Sequence, residues 1–80
     1  MANELILVAE DDVNIRNGLA DTLDSEGYKV TTATDGEQAM KLFARQGFDL
    51  VLLDIMMPGK SGYDVCRAIR EQNKAIPIIM

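Results

Sequence analysis

The chain has 80 residues, of which 48% are apolar and 26% charged, and its net charge is −5. This length allows one domain with one hydrophobic core, and an acidic chain with no run of Lys or Arg is unsuited to binding a nucleic-acid backbone. There is no His and one cysteine, Cys66, which excludes an internal disulfide, a zinc site of the usual ligands and a Cys/His catalytic pair.

The apolar runs are short, and the longest of them, 5–9 and 50–53, are far below the roughly 20 residues that cross a bilayer. The polar start "MANE" is unlike a signal peptide. These features predict a cytoplasmic protein.

The first half of the chain predicts two strand-helix units. The run "ELILVA" has the composition of a strand covered on both faces. Ile15, Leu19 and Leu23 then form one helical stripe that Gly27 ends. "YKVTTA" predicts the second strand, and the following helix has Thr34 and Glu37 at the spacing of a capping box. Ala39, Met40 and Phe43 form its apolar face, and Gly47 is its predicted stop.

The second half continues this alternation. "FDLVLLD" predicts a third strand, Val65, Cys66 and Ile69 mark one side of a third helix, and "AIPIIM" begins a fourth strand with Pro77 near its start. Cys66 is therefore expected to be a small core residue. Strands alternating with helices predict right-handed βαβ units, and hence an α/β fold with a doubly wound parallel sheet.

Carboxylates follow two of the predicted strands. Glu10, Asp11 and Asp12 follow the first strand and Asp54 follows the third. Asp12 is assigned as the N-cap of the first helix. If strands 1 and 3 are neighbours, the other three acids converge where ligands bind in such sheets. Two carboxylates about 5 Å apart repel by about 3 kcal/mol at an effective dielectric near 20, so the cluster predicts a divalent cation, and oxygen ligands favour Mg²⁺.

The segments "ILVAEDD", "LVLLDIMMPGKSG" and "IPIIM" resemble the receiver domain of bacterial response regulators. The resemblance covers the whole chain and is carried by an acidic pair followed some forty residues later by D-x-x-M-P-x-x-x-G. It implies a flavodoxin-like receiver topology that is incomplete, β1α1β2α2β3α3β4, with residues 1–80 forming the N-terminal two-thirds of the domain.

The resemblance also implies residue roles. Asp54 is the expected phosphoacceptor, which takes a phosphoryl group from phosphohistidine on a sensor histidine kinase or phosphotransfer protein. Mg²⁺ is the expected cofactor, held by Glu10, Asp11, Asp54 and the backbone carbonyl of Met56. Glu10 stands where many relatives carry Asp, and its longer side chain predicts an indirect or water-mediated contact with the metal. A receiver is not a turnover enzyme acting on external substrates.

The loop after Asp54 has predicted roles of its own. Pro58 and Gly59 are expected to shape it so that the carbonyl of Met56 turns inward, and Gly62 is expected either to let the backbone enter the third helix or to begin that helix with no further role. One of Met56 and Met57 is expected to pack in the core. Three cations are assigned as solvated surface charges: Arg16, Lys60 and Lys74.

Two enzyme readings are disfavoured. "GKS" at 59–61 imitates the end of a P-loop, but that motif needs a glycine where this chain has Asp54. A phosphatase forming an aspartyl phosphate usually has a second acid two residues after the nucleophile to act as general acid and base, and Met56 occupies that position.

A third alternative is an interaction module that keeps the fold without phosphotransfer. Receiver domains continue past the fourth strand to a hydroxyl residue, a fifth strand ending in Lys and further helices. Without them, strand 4 is expected to be an exposed apolar edge, and one face of strands 1 and 3 is expected to lack a covering helix. We therefore expect association with a second copy or with a complementing fragment, or a chain that was cut from a longer regulator.

Overall fold

A computed structural model describes residues 4–80. Strands and helices alternate along the chain as predicted, and all strands are parallel in the order β2-β1-β3-β4. This is the beginning of the flavodoxin-like order 2-1-3-4-5, so the predicted fold class is confirmed. The elements are β1 Leu5–Ala9, α1 Val13–Ser25, β2 Lys29–Ala33, α2 Gly36–Arg45, β3 Leu50–Leu53, α3 Gly62–Gln72 and β4 Ile78–Ile79.

The core lies between one face of the sheet and helices α2 and α3. Leu7 and Val51 from the sheet are fully buried there against Val65 and Ile69 of α3. Cys66 is half-buried and packs against the same cluster, as expected. β3 and β4 are shorter than predicted, because 48–49 and 75–77 lead into these strands without being part of them.

Helix α1 covers the opposite face of the sheet only in part. It contacts β1 and β2 but has no buried residue, and Ile15 of its apolar stripe is 52% exposed. Beside it lies an apolar groove of about 550 Å³, here called the α1 groove. Its apolar walls are formed by Val8, Leu19, Leu52 and Ile79. Among residues 4–80, this face of β1 and β3 therefore remains partly uncovered, as predicted.

Local capping explains most helix ends. Gly27 has a φ of 95°, its amide donates to the Asp24 carbonyl at 3.0 Å, and the Tyr28 amide donates to the Leu23 carbonyl at 3.2 Å, which together form a Schellman motif. Gly47 follows α2 at the same spacing, because this helix ends at Arg45 as α1 ends at Ser25, but Gly47 does not have the positive φ of Gly27.

The predicted N-terminus of α2 needs a correction. Asp35, not Thr34, is the N-cap, and its carboxylate accepts from the Gln38 amide at 2.8 Å. The Thr34 amide instead donates to the side-chain oxygen of Gln38. The spacing of Thr34 and Glu37 was misleading because an acid one residue later also fits an N-cap.

Candidate functional site

The carboxylates converge because strands β1 and β3 are neighbours. Ala9 pairs with Leu53 at the end of the ladder, so the next residues along the two strands are Glu10 and Asp54. The Asp54 amide donates to the Ala9 carbonyl at 2.9 Å, and the Glu10 amide donates to the Ala33 carbonyl of β2 at 3.0 Å. The backbone of both acids is therefore held by the sheet.

Three acids form the centre of the site. A carboxylate oxygen from each of Glu10, Asp11 and Asp54 lies within 4.8 Å of the other two. Glu10 and Asp54 are half-buried and Asp11 is exposed. Partial burial, the largest cause, raises the pKa of the Glu10 carboxyl, and the neighbouring Asp54 charge raises it further, against a hydrogen bond from the Asp12 amide that lowers it. The site thus has an excess of negative charge.

Hydrogen bonds to the backbone orient these side chains. The Met56 amide donates to Oδ1 of Asp54 at 3.3 Å, and the Asp12 amide donates to Oε2 of Glu10 at 3.2 Å. Asp12 itself caps α1, because its Oδ1 accepts from the Asn14 and Ile15 amides. The assignment of Asp12 as the N-cap of α1, apart from the other three acids, is therefore confirmed.

The loop after β3 is packed tightly against Asp54. Gly59 has a φ of 75°, in the region that favours glycine, which supports the turn expected at Pro58-Gly59. Gly62 begins α3 as predicted, and it also packs on the backbone of Asp54, since a Cβ there would lie 2.5 Å from the Asp54 carbonyl oxygen. Met57 is buried, whereas Met56 is 80% exposed. The inward turn of the Met56 carbonyl stays a prediction.

The N-terminus of α3 is not arranged as a phosphate-binding loop. Ser61 and Asp64 form a capping box, in which the Ser61 hydroxyl accepts from the Asp64 amide and the Asp64 carboxylate accepts from the Ser61 amide. The hydrogen bond from the Ser61 backbone, the largest cause, lowers the pKa of Asp64. A carboxylate already occupies this helix end, where a P-loop would hold phosphate.

One assignment for a residue at this site was wrong. Arg16 is not a freely solvated charge: it is half-buried, and its Nη1 donates to the Glu10 carbonyl at 2.9 Å and to the Asp11 carbonyl at 3.4 Å. A signal was present, because a cation so close to a helix N-terminus is disfavoured by the helix dipole unless it has a partner. Lys60 and Lys74 are exposed, as expected.

Comparison with known proteins identifies the family. The sequence model of the response regulator receiver domain matches residues 6–80. The chain belongs to this family. Among curated relatives, it is 44% identical over 75 residues to the sensory transduction protein RegX3 of Mycobacterium tuberculosis. The aligned residues cover 94% of this chain and 33% of RegX3. The chain spans about a third of the length of the curated relatives it matches.

Solved receiver structures have the same architecture. The response regulator TrrA of Thermotoga maritima, in complex with Mg²⁺ and BeF, is similar with a TM-score of 0.92 and 47% identity over 96% of this chain and 67% of that one. TrrA in complex with the histidine kinase ThkA is similar with a TM-score of 0.87 and 47% identity, over 94% of this chain and 65% of that one. The receiver assignment made from the sequence is confirmed. Within residues 4–80, no helix is long and apolar enough to cross a membrane.

Proposed function

We propose that this receiver accepts a phosphoryl group on Asp54 from a phosphohistidine of a sensor kinase or phosphotransfer protein. Mg²⁺ is its cofactor, with Glu10, Asp11, Asp54 and the carbonyl of Met56 as ligands. The observation that carries the proposal is the convergence of three carboxylates within 4.8 Å at the carboxyl ends of adjacent parallel strands. The complex of the similar protein TrrA with a histidine kinase supports the choice of partner.

The residues present fit a magnesium ion. Their donors are all oxygens, and the partial exposure of the acids leaves room for the waters that Mg²⁺ usually keeps. Partial burial is the main cause of the raised pKa of Glu10, and the neighbouring Asp54 charge, which raises it further, is charge that a divalent cation neutralises. When bound, Mg²⁺ supplies charge neutralisation for the oxygens of the transferred group.

The chemistry requires little from the protein beyond a positioned nucleophile. A carboxylate oxygen of Asp54 forms a bond to phosphorus as the P–N bond of the phosphohistidine breaks, and the imidazole nitrogen keeps that electron pair and takes a proton from solvent. The Met56 amide holds the Asp54 carboxylate by Oδ1. The product is an aspartyl phosphate.

The proposed role is signalling without turnover of external substrates. Met56, two residues after the nucleophile, offers an exposed thioether that cannot act as general acid or base. We further propose that residues 1–80 correspond to the N-terminal two-thirds of a receiver domain, which their 67% coverage of the TrrA chain supports. The cytoplasmic location stays a prediction.

Phosphorylation with a small-molecule donor tests the proposal. The protein is incubated with phosphoramidate and Mg²⁺, and intact mass spectrometry follows the gain of one phosphoryl group. Asp54→Asn should abolish the gain, and Asp35→Asn, which keeps the N-cap of α2, should leave it unchanged. Equal phosphorylation of the wild type and Asp54→Asn contradicts the assignment of the nucleophile.

The α1 groove favours a second candidate function, association with another copy or with a complementing fragment. Ile79 of the edge strand β4 is 57% exposed and Met80 is 49% exposed. Exposed apolar edges of this kind are sites of strand pairing. Light scattering over a concentration series tests self-association, with Ile79→Lys as the variant that should reduce it. A wild type that is monomeric at all concentrations excludes the second copy.

A further inference from the structure

Arg16 occupies an unusual place for a cation. It lies in the first turns of α1, close to the helix N-terminus that Asp12 caps, where the helix dipole disfavours positive charge. Its side chain does not extend into solvent but turns back over the helix start toward the end of β1. The contacts made there must compensate for the unfavourable position.

These contacts are with the backbone of the acidic pair. Nη1 of Arg16 donates to the Glu10 carbonyl oxygen at 2.9 Å, in a half-buried environment, and more weakly to the Asp11 carbonyl oxygen at 3.4 Å. Glu10 lies just beyond Ala9, the last paired residue of β1. Its carbonyl is therefore held by Arg16 and not by a paired residue of the ladder.

The remaining polar groups of Glu10 are held as well. Its amide donates to the Ala33 carbonyl, and its carboxylate accepts from the Asp12 amide. The hydrogen bond from Arg16 is thus the contact that sets the direction of the peptide between Glu10 and Asp11. The direction of that peptide affects where the Asp11 side chain, which leaves the backbone directly after it, lies relative to Glu10 and Asp54.

We propose that Arg16 is a positioning residue of the carboxylate site, which orders the peptide between Glu10 and Asp11 so that both acids face Asp54. This inference rests on the proposed magnesium function. Arg16 acts through the backbone and is not itself a ligand or a catalytic residue.

Two effects of removing Arg16 have opposite signs. By charge alone, losing a cation bound to the backbone of the acidic pair makes the surroundings of the site more negative and tightens Mg²⁺ binding. Losing the hydrogen bond to the Glu10 carbonyl frees the peptide, so the ligands must be ordered when the metal binds, and binding weakens. The direction of the change therefore distinguishes positioning from simple electrostatics.

Arg70 offers a matched control. Its Nη1 also donates to a backbone carbonyl, that of Ile76, in a half-buried environment. Ile76 precedes β4, so this contact lies at the opposite end of the parallel sheet from the carboxylates. Arg70→Met removes the same charge and the same kind of hydrogen bond as Arg16→Met, away from the site.

Calorimetric titration with MgCl₂ measures the effect, with the folded fraction of each variant matched by circular dichroism. We expect Arg16→Met to raise the Mg²⁺ dissociation constant by about fivefold, the loss of one hydrogen bond. Arg16→Lys keeps the charge and one donor without the guanidinium fork, and we expect a rise of about threefold. Arg70→Met should stay within about twofold of the wild type, since it lies outside the site.

An unchanged or lower dissociation constant for Arg16→Met overturns the inference. If that variant does not fold, Arg16→Lys decides, and a wild-type constant there overturns it equally. Asp11→Asn separates this inference from the function on which it rests. If Asp11→Asn weakens binding and Arg16→Met does not, only the role of Arg16 is wrong, whereas unchanged binding in both variants means that the magnesium site itself is wrongly placed.

Discussion

The substitution Asp54→Asn should stabilise the metal-free protein. Asp54 has carboxylate neighbours in Glu10 and Asp11, with oxygens of all three within 4.8 Å of one another. Asparagine keeps the shape of the side chain, and its carbonyl oxygen can still accept from the Met56 amide as Oδ1 of Asp54 does. The main change is the loss of one negative charge from the cluster.

The separation sets the size of the effect. At 4.8 Å, two unit charges repel by roughly 1 kcal/mol at the dielectric of water and by about 3.5 kcal/mol at an effective dielectric near 20. The acids are half-buried or exposed, so the value lies toward the lower limit. We expect Asp54→Asn to raise the free energy of unfolding by about 1 to 2 kcal/mol at neutral pH and low ionic strength. For a domain of this size, each kcal/mol raises Tm by about 4 to 8 °C.

Urea unfolding followed by circular dichroism, with a chelator or with Mg²⁺, provides the assay. Without metal, the variant should be more stable than the wild type. Magnesium at ten times its dissociation constant should stabilise the wild type by about 1.4 kcal/mol and the variant by less, so the difference between them shrinks. Added salt in place of magnesium should reduce the difference through screening alone.

The control separates local repulsion from net charge. Asp21→Asn removes one negative charge from an exposed position of α1 and should change the stability by less than about 0.5 kcal/mol. The reasoning is refuted if Asp54→Asn is neutral or destabilising without metal, or if magnesium stabilises both proteins equally. The first result means that the three carboxylates do not repel one another measurably, and the second means that they do not share a cation.

Two further predictions concern packing and pH. Gly62→Ala should destabilise the fold by about 1 to 3 kcal/mol and weaken Mg²⁺ binding, because the added Cβ meets the Asp54 carbonyl oxygen at 2.5 Å. Gly18→Ala is the control, because no atom lies within 4 Å of its added Cβ. It should stabilise α1 by about 0.5 to 1 kcal/mol in the same urea assay. Since the folded pKa of Glu10 is raised above its ordinary 4.5, its contribution to metal-free stability is fully present below pH 4.5 and is lost as pH rises through the higher folded value. Glu10→Gln should abolish this loss when the free energy of unfolding is measured at a series of pH values. If the free energy of unfolding of the variant falls with pH in parallel with that of the wild type, the prediction is contradicted.

Several features followed from local sequence because local contacts create them. The Schellman motif at Gly27 and the cap at Asp12 involve residues within five positions of one another. The helix faces of α2 and α3 were read correctly from periodicity, since a stripe such as Val65 and Ile69 has only the core to pack against. Local rules failed where two candidates competed, as at Thr34 and Asp35.

The sequence by itself determined the alternation of strands and helices, the acids that follow β1 and β3, and the family to which the chain belongs. Only the tertiary structure decided that Glu10 and Asp54 are neighbours, because their contact depends on β3 pairing with β1 across more than forty residues. It also decided that Arg16 faces the acidic pair and that Gly62 touches the backbone of Asp54. Such contacts depend on how the helices and strands pack against one another, and no local pattern of residues encodes which residues then meet.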